Sequence, residues 1–183
     1  MAFFRGSTRV WLYRSLVLIA AALVVVSFAM PWWTVDVKIS GSHTGVQIYG
    51  YGLRHNLMNL RMYIAADETP GYQTALAWGF AGLISVLAIL SAFIKGWRGR
   101  LLLGGAGLAY AAYAAVAVFV VVANRVPDFN VAFTGWSTDT YADIQTIDVT
   151  YFSSIGAGYY LASAAGGLCL VLALARGLIS GRT

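Results

Sequence analysis

Residues 17–39 read VLIAAALVVVSFAMPWWTVDVKI, and the period of the chain changes inside them. Up to Met30 the stretch is apolar and carries no charge. Past Trp33 it alternates, with Val35, Val37 and Ile39 on one face and Thr34, Asp36, Lys38 and Ser40 on the other. The first part lies in a run, Val10 to Met30, of about the 20 residues that a helix needs to cross the hydrocarbon core. The second part reads as a half-buried strand.

Three more runs of that length follow, Thr74 to Ile94, Leu101 to Ala123 and Phe152 to Ala175. Their flanking charges sort by side. Arg5, Arg9 and Arg14 open the first run, Lys95, Arg98 and Arg100 stand between the second and third, and Arg176 and Arg182 close the fourth. All seven acidic residues, Asp36, Asp67, Glu68, Asp128, Asp139, Asp143 and Asp148, fall in the other two loops. A basic bias on one side sets orientation. It predicts a multi-pass plasma-membrane protein with both termini cytoplasmic and both long loops extracytoplasmic. The expected fold is an α-helical membrane protein of one domain, residues 1–183. It is a left-handed four-helix bundle with a small extracytoplasmic antiparallel β-sheet built from segments 31–73 and 124–151.

Composition agrees. The chain is 60% hydrophobic and 10% charged, against about 25% charged in soluble domains. Its formal charge is +5, but eight of its twelve basic residues sit at the inner membrane edge. There they orient the protein and meet anionic lipid. The expected partners are the lipid bilayer and other membrane proteins or copies of this chain, with no nucleic acid. The single cysteine, Cys169, rules out an intrachain disulfide and reads as a small packing residue. Ser27-Phe28-Ala29 offers a small-x-small cleavage site. The length of the run and the tryptophans behind it favour retention as a span over a signal peptide.

In the first loop, Gly41 to Gly45 is a turn cluster and Val46 to Tyr51 a second strand, with Gln47, Tyr49 and Tyr51 on one face. Leu53 to Ile64 fits a strand through Met58, Leu60 and Met62, or a helical stripe through Leu57 and Leu60. One or two short strands are expected, then a helical turn before Asp67-Glu68-Thr69-Pro70-Gly71. In the second loop, Ile147, Val149 and Tyr151 alternate as a strand that joins the same sheet. Neither loop buries enough apolar surface alone. Trp32, Trp33, Tyr151 and Phe152 predict an outer aromatic girdle, and Trp11, Tyr13 and Trp97 an inner one. Small residues at helical spacing predict helix contacts: Gly107, Ala111 and Ala115 on the third helix, Ser163 and Gly167 on the fourth, and Gly79 with Gly82 on the second.

Chemistry-bearing patterns are few. The apolar runs contain no lysine, histidine or acid, and Arg14 can snorkel from the end of its helix. This argues against an ion-coupled transporter, whose buried ionisable groups mark its path. The two histidines, His43 and His55, lack a paired metal-ligand spacing. No nucleophile motif surrounds any serine. Gly104-Gly105-Ala106-Gly107 has no strand before it and no Lys-Ser/Thr after it, so it reads as helix packing and not a phosphate loop. No catalytic residue, metal ligand or cofactor is expected. Trp136 has no membrane role and reads as a lid on the sheet or an exposed contact. Tyr49, Tyr51 and Phe133 join it as candidate partner contacts.

Trp33 is followed nineteen residues on by Gly52-Leu53-Arg54. With the order helix, large β loop, helix hairpin, smaller loop, helix, this resembles the claudin-like tetraspan superfamily, whose first loop carries a tryptophan and then Gly-Leu-Trp and two cysteines. Arg54 stands at the motif tryptophan, and the cysteine pair has no counterpart. The resemblance implies that Trp33, Gly52 and Leu53 hold the sheet on the bundle and that strand edges mediate lateral assembly. The leading expectation is a non-catalytic protein acting by protein–protein assembly, as an accessory subunit or an adhesion or barrier protein. The alternatives are a small-solute or ion channel or carrier, and a small membrane enzyme or metal-handling protein using His43 and His55.

Overall fold

The computed structural model describes residues 2–39, 42–55, 69–123, 132–141 and 147–179. Four helices are long and apolar enough to cross a membrane, as expected of a multi-pass membrane protein. They are α1 (Ala2–Ala29), α2 (Gly71–Ser91), α3 (Gly96–Val116, continued by a π-helical stretch Ala117–Val122) and α4 (Ala157–Ile179). α1 and α3 each pack against both α2 and α4.

Five strands form one antiparallel sheet: β1 (Pro31–Ile39), β2 (Ser42–Tyr49), β3 (Gly52–His55), β4 (Gly135–Tyr141) and β5 (Ile147–Ile155), in the order β3-β2-β1-β5-β4. The two long loops thus share a sheet, with β1 at its centre. Val35 and Val37 of β1, Val46 and Ile48 of β2, and Val149 and Tyr151 of β5 are all buried. The alternation predicted for these strands is the one observed.

Several boundaries move. Ser42–Gly45, expected in a turn, pair with Asp36–Ile39 as strand. The fourth run was expected to be helical from Phe152, but residues through Ile155 belong to β5. Trp33 pairs with Ile155, and these pairings hold the segment extended until Gly156. The inner turn is shorter than Lys95–Arg100, because α3 already begins at Gly96. Of the ambiguous stretch Leu53–Ile64, the start is β3. Residues 56–68, and with them Met58, Leu60, Met62, Asp67 and Glu68, lie outside the described residues, as do Asp128 and Asp143 of the second loop.

The predicted outer girdle is mostly buried. Trp32 is 1% exposed, and Trp33 and Tyr151 are equally enclosed. Trp32 points into the bundle, where its indole N–H donates to Ser27 O at 2.7 Å and its ring meets Phe28 edge-on at 5.7 Å. A Cβ on Gly50 would come within 2.8 Å of that ring, and one on Gly158 would strike both the ring and the Met30 carbonyl. Glycine is therefore required at both positions to make the slot. Gly156 N–H donates to Trp32 O at 2.8 Å, and the Tyr113 hydroxyl donates to Gly50 O at 2.5 Å. The root of β1 is sealed between α1, α3 and α4.

The inner girdle also changes. Trp11 and Trp97 are exposed, but Tyr13 is buried beneath the Arg176 guanidinium, 5.2 Å from its ring centre. By sequence Arg176 is an orienting charge beyond the fourth span. Instead it lies within α4, 8% exposed. It donates to Ser91 O at 2.6 Å and to Ile94 O, and Gly99 leaves it room, since a Cβ there would collide with it. At the opposite end, Tyr110 of α3 is hydrogen-bonded to Ser27 of α1, and both hydroxyls reach Val24 O, at 3.2 and 2.8 Å. Each diagonal of the bundle carries a polar tie, the two at opposite ends.

Three contacts set the register of α1 on α2. Phe28 meets Trp78 at 5.4 Å, Ser85 Oγ reaches Ala21 O at 3.4 Å, and Arg14 lies over Phe93 at 5.1 Å. Arg14, near the start of the first run by sequence, is thus level with the end of α2. The helix does not start at Val10 but at Ala2, and it overhangs the α2–α3 turn by roughly 18 Å at 1.5 Å per residue.

The expected small-residue contacts are partly relocated. Gly107 sits against Cys169, whose Cβ would be 2.6 Å from a Cβ placed on it, and Ala111 faces Gly166. Ala115, Ser163, Gly79 and Gly82 are exposed, and nothing lies within 4 Å of a Cβ built on Gly167. The α4 stripe is therefore Gly166 and Cys169, one position from the one predicted. Four-residue spacing marks a face but does not fix its rotation about the helix axis.

Candidate interaction surface

The sheet has two edges, and they differ. β3 contributes four residues and is fastened at its start. Gly52 has φ +138°, and a Cβ there would collide with Thr69. The Thr69 hydroxyl accepts from Leu53 N–H at 2.7 Å. This places the Gly52-Leu53 pair against the lead-in to α2. Beside it, Tyr49 stacks on Tyr51 at 5.0 Å and Tyr51 on Trp78 of α2 at 5.6 Å, while the Arg54 guanidinium lies 6.0 Å from the Tyr51 ring centre. The Tyr49 hydroxyl donates to Gln47 Oε1 at 2.6 Å. Partial burial, reinforced by Tyr51, pushes the Tyr49 phenol above its ordinary range, and Arg54 pulls the other way. This edge is braced against the membrane domain.

β4 is the other edge. It has seven residues, Gly135 to Tyr141, and among the described residues no strand pairs on its far side. Proteins blunt free edges with proline, charged side chains (lysine above all) or a bulge; β4 contains neither proline nor lysine, and Asp139 is its one charge. Trp136 stands on it 71% exposed, with Phe152 of β5 4.7 Å away and directly opposite in register. On the other side of Phe152 is Asp36 of β1, so the row Trp136, Phe152, Asp36 crosses the outer face of the sheet.

The four candidate contacts therefore do not form one surface. Tyr49 ends β2 and Tyr51 lies between β2 and β3, whereas Trp136 lies on β4, three strands from β2 and so about 14 Å across the sheet at roughly 4.8 Å per strand. Phe133 stacks on Phe119 of the α3 extension at 6.3 Å, and its carbonyl accepts the Trp33 indole N–H at 2.8 Å. Trp33 thus ties β1 to the second loop, while its neighbour Trp32 ties β1 to the bundle. Of the four, Trp136 is the one whose ring is mostly in the open.

β4 itself was not foreseen. Its residues, Gly-Trp-Ser-Thr-Asp-Thr-Tyr, give no apolar alternation. The available signal was propensity, since tryptophan, threonine and tyrosine are enriched in strands. His43 is paired with Lys38 and His55 with Val46, register positions of opposite parity on the hairpin. The chain matches no protein-family model and no curated protein.

Proposed function

We propose that this chain is a non-catalytic plasma-membrane protein that works by assembly through its β-sheet. Its helices form a left-handed bundle with both termini in the cytoplasm, and the sheet faces outward. The charge pattern supports this orientation. Lys95, Arg98 and Arg100 lie at the turn end of the bundle, and Asp36, Asp139 and Asp148 lie in the sheet. The observation that carries the reading is β4, an edge with no described strand on its far side and an exposed tryptophan. Aromatic anchors beside unpaired backbone donors and acceptors give both affinity and register to an added strand. The partner is another membrane protein or a second copy of this chain. A claudin-like ancestry is consistent with the reading and is not required by it.

The test is the mass of the protein extracted in mild detergent. The wild-type chain is expected as a complex, and Trp136→Ala as a single chain of unchanged thermal stability. Surface substitutions of this kind shift stability by no more than about 0.5 kcal/mol. A wild-type chain that runs alone, with nothing co-purifying, sinks the proposal.

A further inference from the structure

The opposite end of the molecule gathers cations and exposed apolar side chains at one turn. The Arg14 guanidinium lies over Phe93 in the α2–α3 turn, 5.1 Å from its ring centre, and among the described residues its Nε–H is buried with no acceptor. From the same turn α3 begins, with Lys95 as its N-cap residue, no side-chain cap and no acid in its first turn. The first N–H groups of a helix lack intrahelical acceptors, and its dipole is positive there, so carboxylates are favoured and cations disfavoured. This helix start carries Lys95, Arg98 and Arg100, all exposed. Arg176 adds a further positive charge but spends its donors on Ser91 O and Ile94 O. The described acidic residues, Asp36, Asp139 and Asp148, all lie in the sheet at the other end. Among the described residues, positive charge and unused donors are concentrated here without a counter-ion.

What surrounds them selects the anion. Phe93, Ile94 and Trp97 are exposed large apolar side chains interleaved with these cations. A free phosphate has no use for them, but an amphipathic ligand does. The turn also lies at the end of α2, at the depth where lipid headgroups meet basic residues. We propose that Arg14 and the α2–α3 turn together seat the phosphate of an anionic phospholipid, with its acyl chains against Phe93 and Ile94. The site is independent of the assembly reading.

The test uses the full chain in phosphatidylcholine nanodiscs, with phosphatidylglycerol titrated in and bound lipid counted by native mass spectrometry. Arg14→Gln is expected to need about tenfold more phosphatidylglycerol for the same occupancy, the equivalent of one charge-assisted hydrogen bond. Arg9→Gln removes the same charge from an exposed position farther along α1, and is expected to stay within about twofold. Arg14→Lys keeps the charge but loses the Nε–H and the planar fork, so it follows Arg14→Gln. It carries the test if the glutamine variant does not fold. Equal losses in the Arg9 and Arg14 variants reduce the effect to diffuse charge and overturn the proposal. So does equal retention of phosphatidylcholine. Displacement of the lipid by millimolar inorganic phosphate leaves a bare anion site and overturns the lipid assignment.

Discussion

At the sheet end, α1 and α3 meet across the bundle through two hydroxyls and a carbonyl, inside a packed set of aromatic rings. At the turn end, α2 and α4 meet through a guanidinium on backbone oxygens. The first tie is neutral and supported by shape, because Trp32 fills a slot that Gly50 and Gly158 leave open. The second is a cation placed where α2 and α4 both end, and both helix dipoles are negative there. The difference follows from what each end carries. The sheet must be held at a fixed angle, which needs close packing in several directions. The turn needs only its last carbonyls satisfied, which one long side chain does.

Removing the keystone of the packed end should have the largest effect. Trp32→Ala is expected to cost roughly 3–5 kcal/mol, the range for deleting a buried aromatic side chain, and to loosen the sheet from the bundle. Unfolding in a denaturing-detergent titration measures the first effect, and protease cleavage within β1–β2 the second. Trp33→Ala, on the loop-two side, should expose the sheet to protease without unfolding the helices. Equal behaviour of the two variants would show that the neighbouring tryptophans do one job and not two.

The polar end should be weaker. Arg176→Leu leaves the Ser91 and Ile94 carbonyls to find water at the membrane edge, at a cost of about 2 kcal/mol. Arg176→Lys should lose less, since an ammonium keeps the charge but cannot fork to both oxygens. The same detergent titration checks both. A lysine variant as unstable as the leucine variant would mean that geometry, and not charge against the helix ends, makes the tie.

What the sequence reveals about these ends depends on how local the cause is. The spans are set by length and composition, and the inner strands by strict alternation in Val35–Ile39 and Ile147–Tyr151, so both are legible. The choice between Trp32 and Trp33 is not, because which neighbour enters the bundle depends on the irregular pairing at Pro31–Trp33, on Gly50 and on Gly158, more than a hundred residues away. Arg176 follows an apolar run and reads as a boundary charge, and only the antiparallel placement of α2 shows that it is buried. β4 was hidden for a different reason. An edge strand with an exposed outer row has little apolar pattern to display, and the feature that makes it a candidate contact is also what hides it.

The smallest effect distinguishes shape from polarity at the sheet end. Tyr110→Phe removes the hydroxyl shared with Ser27 and Val24 but keeps the ring, stacked on Phe28 at 6.2 Å. Ser27 still has Val24 O as its acceptor at 2.8 Å, so no donor is stranded. Interhelical hydrogen bonds in membrane proteins average about 0.6 kcal/mol and reach about 1.7, and the lower figure is expected. A double-mutant cycle with Ser27→Ala isolates the bond to Ser27, and its coupling should fall below the single loss by the part that Val24 O carries. A cost as large as that of Arg176→Leu would make the sheet end a polar tie as well, and the contrast between packed and charged ends would no longer hold.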